Sequence, residues 1–307
     1  MPSFFSDVLA WVVIAAFVSA ALTHRYSPER AQRFAAGSWL LFAAFWLSLI
    51  PFFTLEQRSY VEGMLCIIAV PACLYVAYLV YDERPSLLVL TRAVAVMGAI
   101  YLPFQTITPI RRTAIETVTV HGHLLIETVG FETAIRSCAG LHEAGYAGVT
   151  CLNPYDSMFL TTSTAGGPYV TPVLLACTGI GSIAIVVGLV LAVQGTIRQK
   201  ATGVAIAVPI IYGLNVIRVA FIVLAHANQW FRVSPLTELV MFPFGTNDPL
   251  LVSYYVSDRV IAQSLSVVAF VVIGWGLIRV VPSLSVVLDE IGYLLTGEDQ
   301  GISEKFV

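Results

Sequence analysis

The sequence predicts an all-α fold, a polytopic transmembrane helical bundle of about seven spans with one extracytoplasmic loop domain. Three observations predict it. Of 307 residues, 58% are hydrophobic and only 11% charged, where an ordinary soluble domain carries about 25% charged residues. Apolar runs near the ~20 residues that cross a bilayer recur along the chain. Basic residues in the short connections also favour alternate loops. The formal net charge of -3 argues against nucleic acid as a partner.

The first span runs from Phe4 to Thr23. It has no basic leader and no small-residue cleavage site, so it is expected to remain as a helix and not to be removed as a signal peptide. Spans two to four are expected over Phe34–Phe53, Tyr60–Tyr81 and Leu87–Gln105, making 1–105 an N-terminal four-helix region. From 106 to 171 charges, Gly, Thr and Asn appear, and this is expected to be the extracytoplasmic loop. Within it, Leu124–Arg136 has a partly helical period with Glu127, Glu132 and Arg136 on its polar side.

Residues 172–281 form the C-terminal transmembrane core. Its first span, Pro172–Val193, is expected to start on Thr171 as N-cap with Pro172 at the first helical position. The sixth covers Gly203–His226, and the seventh starts at Asp248-Pro249 and runs to about Val281. The tail, 282–307, holds a short amphipathic stretch and acidic residues, and leaves an eighth span open.

With the N-terminus outside, the inner loops hold Arg25, Arg30, Arg33, Arg84, Arg198 and Lys200, and the outer short loops only Arg58 and Arg232. This asymmetry puts the 106–171 loop outside and the C-terminus in the cytoplasm.

Five cysteines are present. Cys66 and Cys73 share one apolar span and read as small core residues. Cys138 and Cys151 share the polar loop and would pair as a disulfide if that loop faces an oxidising exterior. Cys177 has no such bland partner. It belongs to the first of three stretches that alternating helices bring to the outer half of the membrane: Ala176-Cys177-Thr178-Gly179-Ile180, Asn215-Val216-Ile217-Arg218 and Ser257-Asp258-Arg259. Arg218 lies ~12 Å below the outer end of its helix, and Arg259 ~15 Å along the next, at ~1.5 Å per residue.

An arginine at a helix centre costs ~2.5–3.5 kcal/mol on insertion scales, so two of them beside a cysteine ask for a reason. Each residue alone has a plain reading. Arg259 pairs with Asp258 or snorkels, Arg218 ties helices through carbonyls, Cys177 fills a gap, Asn215 is interhelical glue, and His226 sits at an interface. Together they suggest chemistry, because nearby cations favour a nucleophilic thiolate. Asn215, Arg218, Ile222 and His226 form one helical stripe, and Arg259, Gln263 and Ser266 form another.

These motifs, Ala-Cys-Thr-Gly-Ile at 176–180, Asn-x-x-Arg at 215–218 and Arg259 early in a later helix, resemble the exosortase/archaeosortase family. Bacterial members carry His at the third position, so Arg259 is similar to the archaeosortase A branch. The resemblance implies a membrane-embedded cysteine transpeptidase, sortase-like in chemistry but not in fold. Implied substrates are surface-protein precursors ending in a Pro-Gly-Phe-like motif, a transmembrane helix and a basic tail, with a membrane lipid as acceptor of the new C-terminus. On this reading Cys177 is the nucleophile, and Arg218 and Arg259 are the catalytic cations. Asn215 and His226 support them, His226 or water protonating the leaving amine.

The rival readings are an intramembrane serine protease using Ser182 with His226, and an anion transporter built on the two arginines. The Gly-x-Ser signal is weak, and no inverted repeat supports transport. No cofactor is expected. His121, His123, Glu127, His142 and Glu143 match no strong metal-ligand spacing, so no metal is expected either.

The topology predicts a labelling pattern. With the other reactive cysteines removed, Gln57→Cys and Ser234→Cys react with an impermeant thiol reagent from outside, and Gln199→Cys does not. Labelling of Gln199→Cys alone inverts the map.

Overall fold

The computed structural model describes residues 4–24, 26–56, 60–82, 84–146, 149, 151–163, 167–244, 246–299 and 301. Among them, in order, are α1 (Phe4–Thr23), α2 (Pro28–Pro51), α3 (Tyr60–Asp82), α4 (Leu88–Thr106), α5 (Thr108–Thr128), β1 (Thr133–Arg136), α6 (Cys138–Glu143), β2 (Met158–Ser163) and β3 (Gly167–Pro172). Then follow α7 (Ile180–Ala192), α8 (Ile197–Ala227), α9 (Ser234–Phe244), α10 (Val252–Tyr255), α11 (Gln263–Val280) and α12 (Ser285–Thr296).

Six helical segments are long and apolar enough to cross a membrane: Ser6–Thr23, Pro28–Leu55, Gly63–Asp82, Pro85–Thr106, Ile197–Ala227 and Pro249–Val280. With the shorter apolar α7 they meet the expected count of about seven. On α11, Leu265, Val267, Val268, Val271, Val272 and Trp275 are each more than half exposed. A bare apolar wall of that extent belongs against lipid. Hydroxyls within the spans return to their own backbone, as Ser38 donates to the Phe34 carbonyl at 2.8 Å and Ser266 to that of Ala262 at 2.7 Å. This removes the cost of an unpaired donor in hydrocarbon.

The chain divides into two compact units. The first comprises 1–102, 184–207 and 273–307. Its core joins Val13 and Phe17 of α1, Ala35 and Trp39 of α2, and Val76 and Val80 of α3. The Phe17 and Trp39 rings meet edge to face at 5.2 Å, and the Trp39 indole N–H donates to the Thr91 hydroxyl at 3.0 Å. α7 lies so close to α4 that a Cβ at Gly188 would stand 2.7 Å from the Ala93 carbonyl oxygen. α12 is tied down by Arg84, whose guanidinium meets Glu290 at 2.7 Å and Asp299 at 2.5 Å and lies over the Tyr293 ring.

The second unit comprises 103–183 and 208–272. Here Ile115, Val118 and Ile126 of α5 pack with Phe159 of β2 and with Val219 and Val223 of α8. The three strands form an antiparallel meander in the order β1-β2-β3, with Ala134 opposite Leu160 and Phe159 opposite Thr171. A disulfide joins Cys138 to Cys151 across the β1–β2 connection.

The structure departs from the sequence reading in two places. The 106–171 region contains a 21-residue helix, α5, and a sheet; the partly helical Leu124–Arg136 window is the end of α5 followed by β1. Thr and charged residues had hidden a helix that is stabilised by packing one apolar face and not by propensity. Nor does a helix begin at Pro172. Thr171 and Pro172 end β3 in extended conformation, and the chain reaches α7 only at Ile180, so this helix has 13 residues. Proline suits a strand end as well as a helix start, and the sheet partner decides between them. Arg25 and Arg58, two of the charges that set the expected orientation, lie outside the described residues.

The close approach at Gly188 predicts that Gly188→Ala destabilises the protein by about 1–3 kcal/mol, the usual cost of overpacking. The check is a lowered thermal midpoint in detergent, with Gly213→Ala, which meets open space, as the neutral control.

Candidate active site

The turn that carries Cys177 is built by its own motif. After β3 the backbone is extended at Leu174 and then closes a single 3-10 turn over Leu175–Thr178. Within the turn the Cys177 N–H donates to the Leu174 carbonyl at 2.9 Å, and the Thr178 hydroxyl donates to the Leu175 carbonyl at 2.7 Å. Gly179 ends it with φ of +74°, a left-handed conformation that favours glycine. Space makes the same demand, since a Cβ there would lie 3.2 Å from the Asn215 side chain. Asn215 needs that closeness, because its amide Nδ2 donates to the Cys177 carbonyl. Threonine, glycine and asparagine thus hold one half-buried cysteine on a turn in front of α7.

The two arginines meet on a carboxylate. Arg218 Nη2 lies 2.8 Å from Asp258 Oδ1, and Arg259 Nε lies 3.5 Å from Asp258 Oδ2. Two guanidinium groups around one carboxylate leave a local excess of one positive charge. The Arg218 Nε–H is buried and has no acceptor among the described residues. A buried donor left so costs about 1–3 kcal/mol. Asp258 and Arg259 lie in a π-helical segment, Val256–Ala262, between α10 and α11. Its extra residue per turn shifts the register, a feature common at functional sites. For this reason the expected stripe of Arg259, Gln263 and Ser266 does not form the inward face. Ser266 is exposed, while Ser253, Ser257 and Asp258 are buried.

The stripe on α8 holds. Asn215, Ile222 and His226 are buried on it, with Arg218 between them. His226 is not at an interface: it is 4% exposed, its Nδ1 is hydrogen-bonded to the Thr171 hydroxyl at 2.8 Å, and the Tyr169 and Tyr254 rings stand 5.4 and 5.6 Å away. Thr171, Cys177, Val219, Tyr254 and Asp258 line a cavity of about 10 Å³, the size that admits one water. His226 lies behind Thr171 and does not line it. Ser182, in the first turn of α7, does not line it either.

Reading the sequence put Asp258 forward only as a partner for Arg259, and passed over Thr171 as a hydrogen-bonding group and Tyr254 altogether. Asp258 had a usable signal, since a carboxylate inside an apolar run needs a cation. Tyr254 had none. The loop histidines find protein partners: His121 with Tyr212 at 2.6 Å, and His123 with Thr133 at 2.6 Å and Glu127 at 3.3 Å. His142 lies 3.8 Å from the Cys151 sulfur, but that sulfur is bonded to Cys138 and offers no thiolate to a metal.

Residues 4–246 match the family described as Transmembrane exosortase. Archaeosortase A of Haloferax volcanii is 42% identical over 309 residues, covering 97% of each chain. Archaeosortase A of Natronomonas pharaonis is 42% identical over 288 residues, covering 94% of this chain and 88% of that one. No solved structure matches. A family match over most of the chain, near-complete alignment with two archaeosortases, and six long apolar helices make this multi-pass membrane protein a member of the transmembrane exosortase family.

Proposed function

We propose that the protein is a membrane-embedded cysteine transpeptidase that cleaves the C-terminal sorting signal of surface-protein precursors and passes the new C-terminus to a membrane lipid. The observation that carries the reading is the buried Arg218 Nε–H, without an acceptor among the described residues, on a guanidinium whose Nη2 donates to an Asp258 that shares a cavity with Cys177. A donor held without an acceptor suits an oxyanion that exists only during reaction.

Cys177, as thiolate, attacks the scissile carbonyl carbon. The tetrahedral oxyanion accepts from Arg218, with Arg259 adding charge across Asp258. Collapse breaks the C–N bond, the leaving amine takes the proton that the Cys177 thiol gave up, relayed by water, and a thioester remains. A nucleophile on the lipid headgroup then attacks the thioester, the C–S bond breaks, and the thiol is restored. Arginine stays protonated throughout, so neither guanidinium is the base. Asn215 fixes the Cys177 turn, and Asp258 fixes the two guanidinium groups. His226 acts through Thr171, as a positioning residue.

The substrates are precursors with a Pro-Gly-Phe-like motif, a transmembrane helix and a basic tail. Their reaction would take place in the outer half of the membrane. The bonded Cys138–Cys151 pair supports that orientation, since disulfides persist on the oxidising side.

Cys177→Ala and Cys177→Ser are expected to abolish processing of such a precursor without loss of membrane insertion, while Ser182→Ala keeps it. Mass spectrometry of the product separates lipid transfer from hydrolysis. Full activity of either cysteine variant removes the nucleophile assignment.

Arg218→Lys keeps the charge but loses the planar fork. It is expected to lower turnover about 10²–10³-fold, the cost of a missing preorganised donor, and Arg218→Ala more. Asp258→Asn removes the carboxylate charge from both guanidinium groups. It is expected to cost about 1–3 kcal/mol of stability, below the ~3–5 kcal/mol of a fully buried pair, because both arginine side chains keep 25% exposure. Near-normal turnover in Arg218→Ala returns this residue to a helix tie.

A further inference from the structure

The first unit contains a basic cavity that the proposed chemistry does not use. Two adjoining hollows, of about 350 and 550 Å³, share His24, Arg92 and the Ala192–Gln194 segment. Lys200 lines the larger one. His24 follows the end of α1, Arg92 lies in the second turn of α4, the 192–194 segment ends α7, and Lys200 lies in the first turn of α8. Each of these places is the end of an apolar helix, where hydrocarbon gives way to headgroups.

Among the described residues the charges in the cavity have one sign, and no Asp or Glu lines either hollow. Arg92 is partly buried inside a candidate span and forms no ion pair among the described residues. The Lys200 ammonium donates to the Leu191 carbonyl at 3.0 Å, which turns it toward the end of α7 and gives it no countercharge. His24 Nδ1 is buried and has no hydrogen-bond partner among the described residues. Burial and the neighbouring Arg92 lower the His24 pKa from its ordinary value. A cation two turns into a span, without a carboxylate, calls for an anion from elsewhere.

The walls indicate its character. Leu22, Leu88, Val89, Val96 and Leu191 are apolar and lie beside the cations. Pro85, Ser86 and Leu88 line the cavity at the N-terminal end of α4, where the Pro85–Leu87 3-10 turn feeds the helix and the dipole favours negative charge. A phosphate carried on an apolar molecule satisfies all these features at once. Basic pockets between spans at a membrane boundary suit phospholipid headgroups.

We propose that this cavity binds a phosphate-bearing anion, the headgroup of an anionic membrane phospholipid, with Arg92 and Lys200 on the phosphate and His24 Nδ1 as a further partner. The lipid is a resident ligand of the first unit and not the acceptor of the transpeptidation. The inference therefore stands whether or not the Cys177 chemistry does.

The test uses the full chain in nanodiscs of phosphatidylcholine alone or mixed with phosphatidylglycerol, reading retained lipid by native mass spectrometry and unfolding by a thermal scan. The wild type is expected to retain phosphatidylglycerol over phosphatidylcholine and to unfold at a higher temperature in its presence. Arg92→Gln and Lys200→Gln each lower that preference about fivefold, as expected of one basic residue near a headgroup. Arg92→Lys keeps most of it, which guards against a folding defect. Inorganic phosphate, titrated into phosphatidylcholine discs, separates the sources. Stabilisation by free phosphate in the wild type but not in Arg92→Gln, without lipid preference, upholds the phosphate site and assigns it a soluble ligand. Equal phosphatidylglycerol retention by the wild type and the Arg92→Gln/Lys200→Gln double variant overturns the proposal, as does a response to neither anion.

Discussion

A non-helical stretch of backbone at the head of an apolar helix must have its carbonyls satisfied by protein, because lipid offers no donors. The turn over Leu175–Thr178 is such a stretch, and the Asn215 amide supplies the donor that the Cys177 carbonyl requires. The local choices around it follow from that bond. Gly179 must lack a side chain for Asn215 to approach, and its left-handed backbone turns the chain into α7. Thr178 closes the turn on itself through the Leu175 carbonyl. β3, hydrogen-bonded to β2, brings the chain to the turn in extended form, which shortens the helix behind it to 13 residues.

The same α8 face that supplies Asn215 supplies Arg218 one turn later, so fixing the turn also fixes a cation relative to it. Asp258 completes the arrangement. One carboxylate between two guanidinium groups lowers the cost of placing either in an apolar segment, yet leaves a positive excess. In the π-helical segment at Val256–Ala262 the neighbours Asp258 and Arg259 pair with each other, while Asp258 also reaches Arg218. Consecutive residues on a regular helix point about 100° apart and do not face each other. Two cations and a carboxylate are thus gathered beside the cysteine turn in the second unit.

The two units deal with charge differently. In the second, cations meet a carboxylate of their own chain. In the first, Arg84 does the same with Glu290 and Asp299 and so anchors α12, whereas Arg92 and Lys200 meet none among the described residues. A protein that balances one embedded arginine internally and leaves another without a carboxylate draws the missing charge from its surroundings.

The sequence by itself determined the class of the protein and most of its spans. Runs of ~20 apolar residues have few alternatives to a membrane helix. It also picked out Cys177, Asn215, Arg218 and Arg259, because embedded polar residues are costly enough to be conspicuous. What only the tertiary structure decided depends on partners far away in the chain. Thr171-Pro172 reads equally as a helix start or a strand end until β2 pairs with it. α5 carries too many Thr and charged residues to announce itself, and becomes a helix by packing Ile115, Val118 and Ile126 against Phe159 and Val223. The π-helical register has no sequence signature, so the role of Asp258 as the shared partner of both arginines appears only in three dimensions. Along the chain Arg92 is a single charge in an apolar run, and only the fold brings it to one cavity with His24 and Lys200. Periodicity and composition are local properties and can be read along a chain, whereas pairing is not, and this site and this cavity are both made of pairings.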